Sequence, residues 1–272
     1  MAILKCEFRS DALGMETAMN VILPQDARAE TSDGKLPVLY LLHGLSDSES
    51  AWIRKTPIER YALGYGIAVI MPDGGRSFYT DMAKGYKYWT FMTEELPRIA
   101  RSFFPLSGLR EYNYVAGLSM GGYGAFKMAL GRPDLFAAGA SLSGALDMAA
   151  LAEERLKPPR EEFRDLGEEF YRECENIFGD LEKIKGSGND LFHLAKKASQ
   201  LKNNKPALYF CCGTEDFLYE SNIKFKNYCA EIKLPFTYEE TPGEHTWAFW
   251  DEFIQKALAW LPIPEPAAKA QP

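Results

Sequence analysis

The chain has 272 residues, 46% of them hydrophobic, with 31 basic against 38 acidic side chains and a formal net charge of −7. That length suits a single α/β core carrying an inserted lobe, since such domains routinely reach roughly 250 residues. The acidic balance and the scatter of Lys and Arg argue against nucleic acid or an anionic membrane surface as the partner.

In chain order, residues 2–9 and 15–23 read as two antiparallel strands, and a polar loop follows over 26–35. Residues 37–42 form a continuous apolar run ending at His43-Gly44, as a strand covered on both faces does. A helix is expected over 50–63, then a second buried strand over 67–72 that ends at Asp73-Gly74-Gly75. Asp-Gly-Gly is turn chemistry and not a phosphate cradle. A loop over 76–87 leads to a helix over 89–103. Tyr114-Val115-Ala116 ends the next strand, and a helix runs from Gly121 to Leu130 before Gly131-Arg132-Pro133 stops it. Another strand covers 137–142.

The texture changes near Asp147. From there to about Asn204 the chain is charged and helical in pattern. Phe163, Leu166, Phe170, Tyr171, Cys174, Ile177 and Phe178 fall at helical spacing, and Asn189-Asp190 can cap a helix over 191–201. Strand, helix, strand and helix then follow over 207–212, 222–232, 235–240 and 247–261, and a Pro- and Ala-rich stretch ends the chain. The expected organisation is a core of 1–146 and 205–262, a helical cap or lid over 147–204 and a flexible tail over 263–272. The fold class is α/β: a mostly parallel central sheet with helices on both faces. Such sheets carry their sites at the carboxyl ends of the strands.

Five cysteines, Cys6, Cys174, Cys211, Cys212 and Cys229, include no C-x-x-C pair. They read as free thiols rather than as disulfides or zinc ligands. The start of the chain lacks a leader-like apolar core, and no stretch reaches membrane-spanning length. A cytoplasmic chain is expected, with no metal, no cofactor and no membrane partner.

The chemistry concentrates in Gly117-Leu118-Ser119-Met120-Gly121, a G-x-S-x-G motif between strand and helix. A serine at such a turn adopts a strained backbone that pushes its hydroxyl outward as a nucleophile. It needs a base, and three histidines exist. His43 ends an early strand and reads as ordering its loop, and His193 lies in the cap. His245, between the last strand and the last helix, holds the position of the base. Asp216, after the strand ending at Cys212, is the expected acid, with Glu215 as its rival. The order Ser119, Asp216, His245 is that of the α/β-hydrolase fold. The oxyanion donors are expected to be the backbone N–H groups of Met120 and Leu45. Trp247, Trp52 and Tyr219 are candidate substrate-binding residues, with Trp89 and Trp250 behind them.

The segments HGLSDSESAW, GLSMGGYGAFKMAL, CCGTEDFLY and PGEHTWAFWDEFI, with Tyr79-Thr80-Asp81-Met82 and Phe178-Gly179-Asp180, resemble the tributyrin-esterase branch of the esterase D family. The resemblance spans nearly the whole chain. It implies an α/β-hydrolase fold, a Ser119–Asp216–His245 triad and hydrolysis of carboxylic esters. The family also holds S-formylglutathione hydrolases, and related enzymes release acetyl or feruloyl groups from plant polysaccharides. The chain departs from the S-formylglutathione hydrolase pattern at Leu118-Ser119, where a His-Ser elbow is typical. It departs again at Gly243-Glu244-His245, where Tyr-Asp-His is typical. The expected activity is a serine carboxylesterase acting on small-molecule, short-acyl esters. Alternatives are a feruloyl or acetyl esterase, an S-formylglutathione hydrolase, an acyltransferase and a noncatalytic binding protein. A homo-oligomer is left open.

Overall fold

The structure, a computed structural model, describes residues 1–25, 29, 31–155 and 167–265. Its strands are β1 (Ala2–Ser10), β2 (Met15–Leu23), β3 (Val38–Leu42), β4 (Ala68–Pro72), β5 (Asn113–Leu118), β6 (Ala138–Leu142), β7 (Ala207–Gly213) and β8 (Thr237–Thr241). They form one sheet in the order β1-β2-β4-β3-β5-β6-β7-β8. β1 pairs antiparallel with β2, and β2 antiparallel with β4, while every pair from β4 to β8 is parallel. The expected mostly parallel sheet is therefore present, edged by a hairpin, in an α/β-hydrolase fold.

Period-two alternation divides the core. Leu39 and Leu41 of β3 point to one face, packed with Trp52, Ile58, Phe253 and Ile254. Val38, Tyr40 and Leu42 point to the other, packed with Phe91, Leu96 and Phe126. Each such fully enclosed apolar side chain stabilises the fold by roughly 1.5–3 kcal/mol. The first face is covered by α1 (Ala51–Lys55), α2 (Ile58–Leu63) and the last helix, Trp247–Trp260.

Two expected single helices are interrupted, each at a proline. The one over 50–63 is split into α1 and α2, because Pro57 forces Thr56 out of the helical region to φ −139, ψ 157. The one over 89–103 is α3 (Tyr88–Thr90), a π turn (Phe91–Glu95) and α4 (Leu96–Phe103). Pro97 has no N–H for the Thr93 carbonyl, and the wider turn sits just before it. That turn aims Glu95 at the β1–β2 hairpin, where it accepts from Ser10 Oγ at 2.5 Å and Asp11 N at 2.8 Å.

α5 (Met120–Gly131) follows β5, and α6 (Met148–Arg155), α7 (Gly167–Phe178), α8 (Leu191–Ser199), α9 (Tyr219–Glu231) and α10 (Trp247–Trp260) complete the described helices. Asp190 caps α8 by accepting from Phe192 N at 2.9 Å, as Asn189-Asp190 led one to expect. α8 packs beside α5, burying Leu191, Leu194, Ala195 and Ala198 in the same core. Phe163 and Leu166, and residues 266–272 of the tail, lie outside the described residues. No helix among the described residues is long and apolar enough to cross a membrane.

Candidate active site

β5 is central in the sheet, and its last residue hands the chain directly to α5. The connecting residue, Ser119, has φ 53 and ψ −117, a region that costs a non-glycine residue on the order of 1–3 kcal/mol. Its amide donates to Leu142 O of the neighbouring strand at 2.9 Å, and its carbonyl accepts from Tyr123 N at 3.1 Å. The small residues of the motif answer a steric demand. A Cβ on Gly117 would lie 2.4 Å from Gly121 O, and one on Gly121 would lie 2.5 Å from Leu42 O. Strand end and helix start meet backbone to backbone.

Ser119, His245 and Asp216 converge at the carboxyl end of the sheet from three separate connections. His245 Nε2 is 3.0 Å from Ser119 Oγ, and its Nδ1 is 2.8 Å from Asp216 Oδ2. A carboxylate only accepts, so Nδ1 carries the proton and Nε2 is free to accept from the serine hydroxyl. Asp216 is buried, and its other oxygen accepts from Leu218 N at 2.8 Å. Glu215 points elsewhere: its carboxylate accepts from Thr214 Oγ1 at 2.9 Å and from Gly243 N. The Gly243 N–H above all holds that carboxyl below its usual range. His193 lies on α8 and lines a different cavity with Lys185 and Lys196.

The loop after β3 is pinned through its carbonyls. His43 O accepts from Tyr79 OH at 2.9 Å, Gly44 O accepts from Asp47 N at 3.2 Å and faces His43 Nδ1 at 2.7 Å, and Leu45 O accepts from Arg76 Nη1 at 3.4 Å. Gly74 N donates to His43 Nε2 at 2.9 Å, so that nitrogen holds a lone pair and Nδ1 carries the ring proton. His43 thus orders the loop. Among the described residues no hydrogen bond occupies the Leu45 N–H. Met120 opens α5, and an N–H in a helix's first turn has no intrahelical acceptor.

The aromatic candidates separate. Trp52 is wholly enclosed, with Nε1 donating to Leu42 O at 3.0 Å, so the substrate-binding expectation for it is corrected: it is core. Trp247 is half-buried between Trp52 and Trp250, at ring distances of 5.2 and 5.4 Å. Trp250 meets the His245 ring edge-on at 4.8 Å. Trp89 lies 5.0 Å from the Lys127 ammonium and lines a cavity away from Ser119. Tyr219 lines a cavity of about 420 Å³ with Ala145, Met148, Leu151, Asp216 and Phe217. Phe217 was not singled out from the sequence. Its ring is 54% exposed and lies 4.5 Å from the His245 ring, between imidazole and cavity. Its place directly after the acid was the available signal. Arg76 was missed as well: it also forms a two-pronged ion pair with Glu173 of α7, at 2.5 and 2.6 Å.

Residues 10–261 match the Esterase family. An acetyl esterase of Caldicellulosiruptor saccharolyticus is 33% identical over 267 residues, covering 96% of this chain and 98% of that one. Among solved structures, FphF, a fluorophosphonate-binding serine hydrolase of Staphylococcus aureus in a substrate-bound form, is 36% identical with a TM-score of 0.81, covering 96% of this chain and 98% of the other. The S-formylglutathione hydrolase FrmB of Staphylococcus aureus is 36% identical with a TM-score of 0.79 over the same shares of the two chains.

Proposed function

The chain belongs to the Esterase family and is a serine carboxylic ester hydrolase, and we propose that Ser119, His245 and Asp216 are the residues that carry its reaction. Ser119 Oγ attacks the ester carbonyl carbon as His245 Nε2 takes its proton. The carbonyl oxygen gains negative charge and is met by the N–H groups of Leu45 and Met120. His245 returns the proton to the departing alcohol, leaving an acyl group on Ser119. Water, deprotonated by His245, then releases the acid and restores the serine. Asp216 holds the imidazole in the required tautomer throughout. The observation carrying this reading is the unbroken contact chain of 3.0 and 2.8 Å through His245.

The proposed substrates are esters of short acyl chains, a reading the acetyl esterase relative supports. The tributyrin-esterase branch is the placement we favour on the motifs themselves. A thioester is the second reading, favoured by the likeness to the S-formylglutathione hydrolase structure. The stretch 147–204 is read as shaping the alcohol side. α8 packs on α5 as a layer helix, which supports a reading in which α8 is the part of that stretch least suited to cover the site. Tyr219 and Trp247 are kept as substrate-binding candidates. Cys6, Cys211, Cys212 and Cys229 join no disulfide among the described residues, which favours a reducing compartment, the cytoplasm.

Ser119→Ala tests the reaction: the variant should fold, lose turnover and fail to take a fluorophosphonate label. Retained turnover in the folded variant would end the reading. Rates on aryl acetate, aryl butyrate, methyl ferulate and S-formylglutathione rank the substrates.

A further inference from the structure

Lys127 sits on α5, two turns after Ser119, and is only 3% exposed. A lysine is almost never enclosed to that degree without specific partners. Its Nζ donates to Thr80 Oγ1 at 2.5 Å and to Tyr79 O at 3.3 Å. The same ammonium lies 5.0 Å from the Trp89 ring and 5.9 Å from the Tyr123 ring. Asp81 is the carboxylate whose charge acts on it, itself accepting from Thr90 N at 2.9 Å and Thr90 Oγ1 at 2.8 Å.

The backbone that Lys127 grips is unusual. Phe78 and Tyr79 both have positive φ, 48° and 50°, a left-handed conformation unfavourable to residues with a Cβ. Two such residues in a row persist only where their surroundings hold them. Ser77 holds them from one side, since its Oγ donates to Gly74 O at 2.6 Å and accepts from Tyr79 N at 3.0 Å. Lys127 holds them from the other.

The turn sends the Tyr79 ring into a slot between two glycines. A Cβ on Gly74 would lie 2.4 Å from Tyr79 Cε1, and one on Gly124 would lie 2.3 Å from Tyr79 Cδ2. At the end of the slot the Tyr79 hydroxyl donates to His43 O at 2.9 Å. That carbonyl belongs to the peptide one before the Leu45 N–H. A line of contacts therefore runs from the helix that begins with Met120 to the loop that carries Leu45.

We propose that Lys127 is a positioning residue for ester hydrolysis: it holds the Phe78–Tyr79 turn so that the Tyr79 hydroxyl fixes the His43 carbonyl and thereby aims the Leu45 N–H at the reacting carbonyl oxygen. The proposal rests on the reading of Leu45 as an oxyanion donor. A charge-stabilising donor acts on the transition state more than on bound substrate, so its misplacement lowers kcat and spares KM.

The test is a cycle of Lys127→Met, Tyr79→Phe and the double variant, assayed on aryl acetate. Each single variant should lose about tenfold in kcat with KM within about twofold of wild type. The double variant should also lose about tenfold, because both substitutions cut the same line. Multiplied losses in the double variant, or a lowered melting temperature with kcat unchanged in Lys127→Met, would overturn the proposal. If Lys127→Met does not fold, Thr80→Val removes one acceptor of the amine and should lower kcat in the same direction; an unchanged kcat there counts against the proposal. Should Tyr79→Phe keep full kcat while Ser119→Ala is inactive, the positioning line fails and the hydrolytic reading stands. Turnover by Ser119→Ala would sink the hydrolytic reading itself.

Discussion

Glu215 and Gly243 are joined twice: Glu215 N donates to Gly243 O at 3.1 Å, and Gly243 N donates back to the Glu215 carboxylate. This pair ties the turn carrying Asp216 to the loop carrying His245. The two adjacent acids thus divide their work, one facing the imidazole and the other lashing its loop in place.

Asp216→Asn should therefore lower kcat by on the order of 10³–10⁴, as an amide supports the wrong imidazole tautomer. Glu215→Gln should cost far less, since it keeps an acceptor for Gly243 N. Steady-state kinetics on aryl acetate decides, and equal losses in the two variants would contradict the division.

Phe217→Ala should shift acyl or leaving-group preference. The ring stands between His245 and the cavity of about 420 Å³, so its removal admits larger groups. The ratio of butyrate to acetate kcat/KM should rise by about tenfold, the lower end of what one pocket methylene is worth. An unchanged ratio would place the acyl chain elsewhere.

Trp52→Ala should act on stability. Removing an enclosed indole and its bond to Leu42 O costs about 3–5 kcal/mol. Urea unfolding should show the loss, while KM of the folded enzyme stays near wild type. Trp247→Ala, half-buried, should do the reverse: a smaller stability loss and a larger change in KM.

Lys127 gives the fold a pH dependence whose sign is fixed. Burial lowers its amine from the ordinary 10.5 to about 7, with Asp81 opposing. Between those values the unfolded chain holds a proton that the folded chain has released, so this group's contribution makes the fold more stable as pH rises from about 7 to 10.5. Below about 7 both states are protonated and the full cost of enclosing the charge applies. Lys127→Met lacks that cost, so its stability relative to wild type should fall as pH rises through the window. Denaturant midpoints of both proteins across that window measure it, and parallel pH curves would refute it.

Much of the architecture was legible because the apolar runs of β3, β4, β5 and β7 are short and continuous, with Gly44, Asp73, Gly117 and Gly213 at or close to the points where they end. The meeting of Ser119 with His245 was legible because position along an α/β chain restricts which loops can approach one another. Helix interruptions were harder: Pro57 and Pro97 were visible, but hydrophobic spacing ran through both. Trp52 was misassigned because a large aromatic after the loop that follows β3 reads alike as wall or core, and only burial separates the two. Lys127 and Tyr79 gave no periodic signal. Their roles depend on a left-handed turn at Phe78 and Tyr79, residues that ordinarily avoid it.

The dihedral angles at Ser119 carry a consequence for inactive forms of the enzyme. Within a helix or strand alanine is favoured over glycine, but at φ 53 that ranking inverts. Ser119→Gly should melt at a higher temperature than Ser119→Ala, as thermal unfolding of the two variants would show. The side chain thus stands where a bare backbone would rest more easily, and the tension is stored in the ground state before any ester arrives.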